Sequence, residues 1–168
     1  MTTLILTVAG ADRPGLVAAV ADVVDAHGGN WESSQLAELS GTFAGVIEVS
    51  VAPERSADLE AALRELDGLL TVAVRTGTEN APAPERLLEL SVLGNDRPGI
   101  VREVSAVLNA HALSIEELST ETRDAAMAGG RLFEATVAAR VPSSVDFDAL
   151  RADLERLATE IQVDITFE

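Results

Sequence analysis

The chain opens on an alternation of apolar and polar residues that then gives way to a helical period. Leu4, Leu6 and Val8 alternate with less apolar neighbours, a pattern that predicts a β-strand. Beyond the turn at residues 10–15, apolar side chains recur every three or four positions, which is typical of an amphipathic helix ending at residues 27–29. The apolar stripe consists of Leu16, Val17, Val20, Val23 and Val24.

Four more segments complete the first half. Residues 30–39 and 43–51 are β-prone and are joined through Ser40-Gly41, which predicts a hairpin. A second helix is expected to begin at residues 53–56 and to stop at residues 67–68, before a last strand. The order of elements is therefore β-α-β-β-α-β. The apolar residues that predict the last two elements are Leu59, Leu63 and Leu66 in the helix, and Leu70, Val72 and Val74 in the strand.

The same order returns in the second half of the chain. The run Asp12-Arg13-Pro14-Gly15 reappears 84 residues later as Asp96-Arg97-Pro98-Gly99, in a chain of 168 residues, and the helical apolar positions repeat with it. The hairpin connection is longer here, across residues 124–130, and the chain is expected to end in an edge or near-edge strand. The apolar residues that predict these elements are Leu88, Leu90 and Val92 in the first strand, Ile100, Val104, Val107 and Leu108 in the first helix, Phe147, Leu150, Leu154 and Leu157 in the second helix, and Ile161, Val163, Ile165 and Phe167 in the last strand.

The repeat predicts two domains of one kind. We expect a first domain over residues 1–76, a linker over 77–86, which contains Pro82 and Pro84, and a second domain over 87–168. A β-α-β-β-α-β unit with both helices on one face of an antiparallel sheet is the ferredoxin-like arrangement. The predicted fold class is therefore α+β, with two ferredoxin-like domains in tandem.

The composition limits the cellular location and the binding partners that we expect. The chain has no cysteine, no apolar run of the roughly 20 residues that span a bilayer, and no signal-like start, so we expect a cytoplasmic protein that does not insert into membranes. Its 28 acidic and 12 basic residues give a net charge of −16, and aromatic residues make up 3% of the chain. Because such a surface repels phosphates and lacks stacking side chains, direct binding to nucleic acid is not expected.

Many proteins of different function share the ferredoxin-like fold, so the residues must decide among them. Heavy-metal domains of this shape carry a Cys-x-x-Cys pair, and RNA-recognition domains carry exposed aromatic residues, and this chain has neither. Residues 10–17, Gly-Ala-Asp-Arg-Pro-Gly-Leu-Val, and residues 94–101, Gly-Asn-Asp-Arg-Pro-Gly-Ile-Val, each follow a strand and open a helix. This pattern resembles the ACT family, whose regulatory modules bind small molecules, usually amino acids, and often work in pairs.

The resemblance extends over nearly the whole chain. A chain of two such modules is most similar to the regulators related to the glycine cleavage system repressor. Similar loops also occur in ACT modules of nitrogen-sensing nucleotidyltransferases and of formyltetrahydrofolate hydrolases. The resemblance therefore implies a regulatory protein that acts through a protein partner, either an enzyme or a transcription factor.

The repeated loop is physically suited to bind a zwitterionic ligand. A helix start offers free amides and a partial positive charge, while a nearby carboxylate can hold an ammonium group. The resemblance implies an amino acid lying where two modules meet, its carboxylate near the glycine amides, and by analogy a small one such as glycine or serine. The ligand-binding residues expected are Asp12, Gly15, Leu16 and Asn30 in the first copy, and Asp96, Gly99, Ile100 and Ser114 in the second.

The sequence departs from the ACT family pattern in two ways at this predicted site. ACT modules that bind amino acids commonly have a neutral residue where Asp12 and Asp96 stand, and Ser114 replaces Asn30, so the first copy is the better candidate. The loop also fits a helix start that binds nothing, with Pro14 in the first turn and Asp12 accepting hydrogen bonds from the amides that follow. Asn30 and Ser114 are equally compatible with turn residues at the start of a strand.

The remaining polar residues do not predict catalysis. His27 and His111 occupy equivalent positions where a helix ends, which favours capping, and Trp31 is interpreted as a packing residue. Without a nucleophile, base and orienting group at recognisable spacing, we expect no enzyme, no cofactor and no metal. Two hypotheses remain: an amino-acid sensor that acts on a protein partner, and a ligand-free scaffold for protein interactions. Exposed strand edges would allow either to form a homodimer.

Overall fold

The chain folds into two compact units, Met1–Ala81 and Pro82–Glu168, called the first and second module below. The structure is a computed structural model and describes residues 1–78, 86–125 and 129–167. Each module has its own core of buried apolar side chains.

The first module is a four-stranded antiparallel sheet with two helices. Its strands lie in the order β2-β3-β1-β4, so that the first and third strands of the module are central. A short 3₁₀ turn, Pro53–Arg55, precedes the second helix. The elements are β1 (Thr2–Ala11), α1 (Leu16–Ala26), β2 (Asn30–Leu39), β3 (Thr42–Val51), α2 (Ser56–Arg64) and β4 (Thr71–Thr76).

The second module repeats this topology. Its sheet has the order β6-β7-β5-β8, again with antiparallel neighbours. The predicted ferredoxin-like arrangement of two tandem α+β modules is thereby confirmed. The elements are β5 (Arg86–Asn95), α3 (Ile100–Ala110), β6 (Ser114–Asp124), β7 (Arg131–Val141), α4 (Phe147–Ile161) and β8 (Val163–Phe167).

One face of each sheet carries both helices. In β1 the alternate residues Leu4, Leu6 and Val8 are 1% exposed or less, and they share one cluster with the buried leucines and valines of α1 and α2. The second module repeats this with Leu90, which is fully buried. Because burial of such a side chain contributes about 2 kcal/mol, the period-two pattern fixes which face of the sheet turns inward.

Three details of the element boundaries differ from the sequence prediction. Pro14 precedes the first helix instead of lying in its first turn, because the helix begins only after Gly15. Leu66 lies beyond the end of α2, in a turn whose residues bond to one another. Ile161 is the last residue of helix α4 and is buried in the core of the second module, and Gln162, at φ 56°, turns the chain into β8.

Candidate functional site

The loop between the first strand and first helix is anchored in the same way in both modules. The Asp12 amide donates to the Gly41 carbonyl over 2.8 Å, and the Asp96 amide donates to the Arg131 carbonyl over 2.8 Å. These bonds continue the ladder between the first and third strands and hold the loop against the hairpin. The loop is therefore a fixed part of each module.

A glycine in the left-handed region starts each helix. Gly15 has φ 92° and Gly99 has φ 97°, and neither helix receives a side-chain cap at this position. Other residues rarely adopt this conformation, so the glycines are required by backbone geometry. The expected cap from Asp12 is absent, because Gly15 takes the capping position, and within the described ranges the Asp12 side chain accepts no hydrogen bond.

The predicted binding residues do not all lie together. Leu16 and Ile100 are 3% and 2% exposed, so they offer a ligand their backbone and not their side chains. Asn30 is level with Ser50 and Thr3, nine positions along β1 from Asp12, which is about 30 Å at the rise of a strand. Within one module, Asn30 therefore cannot contact a small molecule bound at Asp12. Ser114 and Asp96 are separated in the same way, since Ser114 is level with Arg140 and Leu87.

Asn30 has a local partner at the start of its strand. A β-bulge between Trp31 and Ser33 turns out the Glu32 carboxylate, which accepts bonds from Asn30 Nδ2 at 2.8 Å and Ser50 Oγ at 2.5 Å. The bond from Ser50 first, and the bond from Asn30 second, lower the pKa of Glu32. The second module has the same bulge, where Glu116 pairs with Arg140.

A second polar feature adjoins the Asp12 loop of the first module. Arg13 Nη2 donates to the Gly68 carbonyl over 3.1 Å, across 55 residues of sequence. An open depression of about 470 Å³ lies here, between residues 9–11 at the end of β1 and residues 67–71. Arg13 and Asp67 are the charged residues among those that line it. The depression is therefore bordered by one cationic and one anionic residue.

The corresponding arginine of the second module has a different partner. Arg97 Nη2 lies 2.5 Å from Glu103 Oε2, and Arg97 Nη1 also donates to the Pro98 carbonyl over 3.0 Å. Glu103 stands one turn into helix α3, where the first module has Ala19. The two copies of the motif, identical in sequence, therefore differ in the charge they leave available.

Sequence analysis missed Arg13 and Asp67 as binding candidates. In the sequence Arg13 is one letter of the repeated motif, and Asp67 belongs to the Asp-Gly pair that predicts a helix end. Their proximity results from the packing of the turn at residues 65–70 against the end of β1. The sequence does place Arg13 in a loop next to a strand end, which is a signal for a binding residue. Nothing in the sequence pairs this arginine with Asp67.

The histidines and Trp31 have structural roles. His27 and His111 are the residues at which α1 and α3 end, as predicted, and Trp31 packs against the core of the first module. In residues 1–78, 86–125 and 129–167, no group of His, Cys, Asp or Glu side chains is placed to hold a metal ion. Within the same ranges, no helix is long and apolar enough to cross a membrane.

The family of this chain is indicated by its similarity to known proteins. Residues 2–76 match the family model of the ACT domain. Over 162 residues the chain is 30% identical to the glycine cleavage system transcriptional repressor of Escherichia coli strain K12, covering 94% of this chain and 85% of that protein. The chain belongs to the family of the glycine cleavage system transcriptional repressor. This confirms the resemblance of the repeated loop to tandem ACT regulators.

Solved structures agree with this fold. An unknown protein from Galdieria sulphuraria is 32% identical, with a TM-score of 0.90 and coverage of 99% of this chain and 97% of that one. A candidate glycine cleavage system transcriptional repressor is 21% identical, with a TM-score of 0.73 and coverage of 99% and 96%. At that identity the second comparison shows the shared fold of the two modules and nothing further.

Proposed function

We propose that this chain is a non-enzymatic regulator that binds a small molecule carrying both signs of charge, with an amino acid the expected class, in its first module. Binding would control amino-acid metabolism or transcription through a protein partner. The observation that carries this proposal is the depression beside the Asp12 loop, which is lined by two residues of opposite charge, Arg13 and Asp67.

The chemistry of the depression suits an α-amino acid. A guanidinium group binds a carboxylate through paired hydrogen bonds, and a carboxylate such as Asp67 can receive an ammonium group. The volume of about 470 Å³ lies within the range of small-molecule sites, about 300–1,000 Å³. The Asp12 carboxylate and the backbone near Gly15 lie on the adjoining loop and would add polar contacts.

The same contacts suggest how ligand binding could change the affinity for a protein partner. Arg13 holds the Gly68 carbonyl, and the turn that contains Gly68 leads directly into β4, an edge strand of the sheet. A carboxylate bound to Arg13 would compete for the bond to Gly68 and shift the turn. Because an edge strand is a ready surface for pairing with another chain, a shift there would alter affinity for a protein partner.

Isothermal titration calorimetry of the full chain against the twenty amino acids tests the proposal. We expect a small amino acid to bind, and Arg13→Gln and Asp67→Asn each to weaken Kd at least tenfold. Arg97→Gln, the matched change in the second module, should leave Kd within twofold. Absence of heat across the panel, or equal weakening by Arg97→Gln, would overturn the proposal.

A scaffold function without a ligand is favoured by a different observation. Every residue of β6 is exposed, including Ile115 at 37% and Leu118 at 42%, and Val101 of α3 lies beside them at 39%. The crevice between these elements is apolar and holds only about 10 Å³, too little for a metabolite. If Leu118→Glu abolished partner binding while Arg13→Gln did not, the scaffold function would be preferred.

A further inference from the structure

We infer that the two modules are unequal, and that the Arg97–Glu103 ion pair closes the second one, so that each chain binds a single ligand. This inference rests on the proposed function and adds its stoichiometry. Glu103 thereby becomes the residue that determines which copy of the repeated motif binds.

The loop of the second module is occupied by its own side chains. The two charged groups of the ion pair approach to 2.5 Å, and their side chains are 37% and 27% exposed. Glu103 Oε1 also lies 3.6 Å from Arg102 Nη2. The point where a Cβ would stand on Gly99 is 3.5 Å from Glu103 Oε1, so the carboxylate lies over the glycine at the helix start.

The loop of the first module is open at the same point. No atom lies within 4 Å of the point where a Cβ would stand on Gly15. Ala19 occupies the position of Glu103, and its methyl side chain cannot neutralise Arg13. The Arg13 guanidinium is bound only through the neutral Gly68 carbonyl among the described residues, and its positive charge remains available to an anion.

The cause of this difference lies in the connection between the second helix and last strand. In the first module six residues, 65–70, separate Arg64 at the end of α2 from Thr71 at the start of β4. In the second module Gln162 alone separates α4 from β8. The turn that provides a carbonyl for Arg13 therefore has no counterpart for Arg97, which pairs with Glu103.

Competition explains why this pair would exclude a ligand. Glu103 stands on the helix that directly follows the Arg97 loop, and a group tethered in this way acts at an effective concentration in the millimolar range or above. A free amino acid must exceed that concentration to displace the carboxylate. In the first module, over residues 1–78, no carboxylate forms an ion pair with Arg13, whose side chain is bonded to the Gly68 carbonyl.

Calorimetric stoichiometry with glycine, or with whichever amino acid of the panel binds, tests the inference. We expect one ligand per wild-type chain. Ala19→Glu should weaken binding at least tenfold while Ala19→Gln, of the same size without the charge, should change Kd less than threefold. Glu103→Ala should add a second and weaker binding event. Two equal sites in the wild type, no effect of Ala19→Glu, or no second event in Glu103→Ala would overturn the inference.

A measurement without ligand separates this inference from the proposed function. Phenylglyoxal modifies accessible guanidinium groups, and its rate at each arginine can be followed by peptide mass spectrometry. We expect Arg97 to react at least fivefold more slowly than Arg13, and Glu103→Gln to remove most of that difference. Equal rates in the wild type would contradict closure of the second loop, whichever amino acids bind. If no amino acid binds but the rates differ, the proposed function alone fails.

Discussion

His111 and Asp153 join helices α3 and α4 of the second module, with His111 Nε2 donating to Asp153 Oδ2 over 2.8 Å. Over residues 1–78 of the first module, no side-chain hydrogen bond or ion pair joins the two helices. There His27 Nδ1 lies 2.8 Å from the Val23 carbonyl of its own helix, and Ala62, which precedes the buried Leu63, stands where Asp153 precedes the buried Leu154. The duplicated histidines thus end equivalent helices but have different partners.

This pair predicts an acid-sensitive contribution to stability. The hydrogen bond from His111, with a smaller effect of the Arg156 charge, lowers the pKa of Asp153 below 3.8. A carboxyl group with a lowered pKa in the folded state stabilises above its unfolded pKa and loses that stabilisation as pH falls through the folded value. Asp153→Asn should therefore lower the urea midpoint at pH 6, and the difference from wild type should shrink from pH 5 to about 2.

Glu155→Gln supplies the control for this prediction, because Glu155 is an exposed acid on the same helix. We expect it to leave the urea midpoint nearly unchanged across the pH range. A difference between Asp153→Asn and wild type that stayed constant down to pH 2 would contradict an electrostatic origin.

The left-handed glycines predict a specific order among substitutions. Gly15→Ala should cost about 1–2 kcal/mol of unfolding free energy, since an alanine in this conformation is strained although no atom is close enough to clash. Gly15→Asn should cost less, because asparagine adopts the conformation more readily. Urea denaturation would measure both, and an equal or greater loss for Gly15→Asn would refute the backbone explanation.

Gly45 predicts a steric effect instead. A Cβ on Gly45 would lie 2.1 Å from the Gln35 carbonyl oxygen of the neighbouring strand, so Gly45→Ala should cost about 3 kcal/mol by forcing β2 and β3 apart. In the second module Ala135 is paired with Val92 as Gly45 is with Val8, and Ala135→Gly should cost only about 1 kcal/mol. Thermal unfolding would compare the two, and a mild effect of Gly45→Ala would show that the strands can separate locally.

The bulge at Glu32 predicts the relative strength of its two hydrogen bonds. Ser50→Ala should raise the pKa of Glu32 more than Asn30→Ala does, because the bond from Ser50 has the larger lowering effect. A carboxyl-carbon NMR titration would measure both shifts, with Ser33→Ala as an exposed control in the same strand. A larger shift with Asn30→Ala would reverse this assignment.

Regular alternation made much of the fold predictable. The strand carrying Leu4, Leu6 and Val8 was identified because one-sided burial imposes a period of two, and the repeat at Asp96 extended the topology to the second module. The position of Ile161 was not predictable in this way. Its apolar side chain fits both the end of a helix and the start of a strand, and the boundary depends on the left-handed conformation of Gln162.

The candidate site was predictable only in part. The motif located the loop at Asp12, but local spacing could not show that Gly15 would replace a side-chain cap. Nor could it show that Asn30 belongs to the far end of the sheet, since that depends on strand register. The partner of Arg13 lies 55 residues away, and Asp67 joins it only because a turn packs against a strand end.

The single residue between α4 and β8, against six between α2 and β4, has a consequence for how duplicated genes diverge. In the first module a carbonyl of the turn binds the arginine, whereas in the second, where α4 has 15 residues against 9 in α2, a glutamate one turn into α3 binds it. The four letters of the Asp-Arg-Pro-Gly motif are the same in both copies, so the motif alone does not distinguish them. The difference between the two copies therefore lies in the extent of the second helix and in the pair of residues at positions 19 and 103, outside the repeated motif.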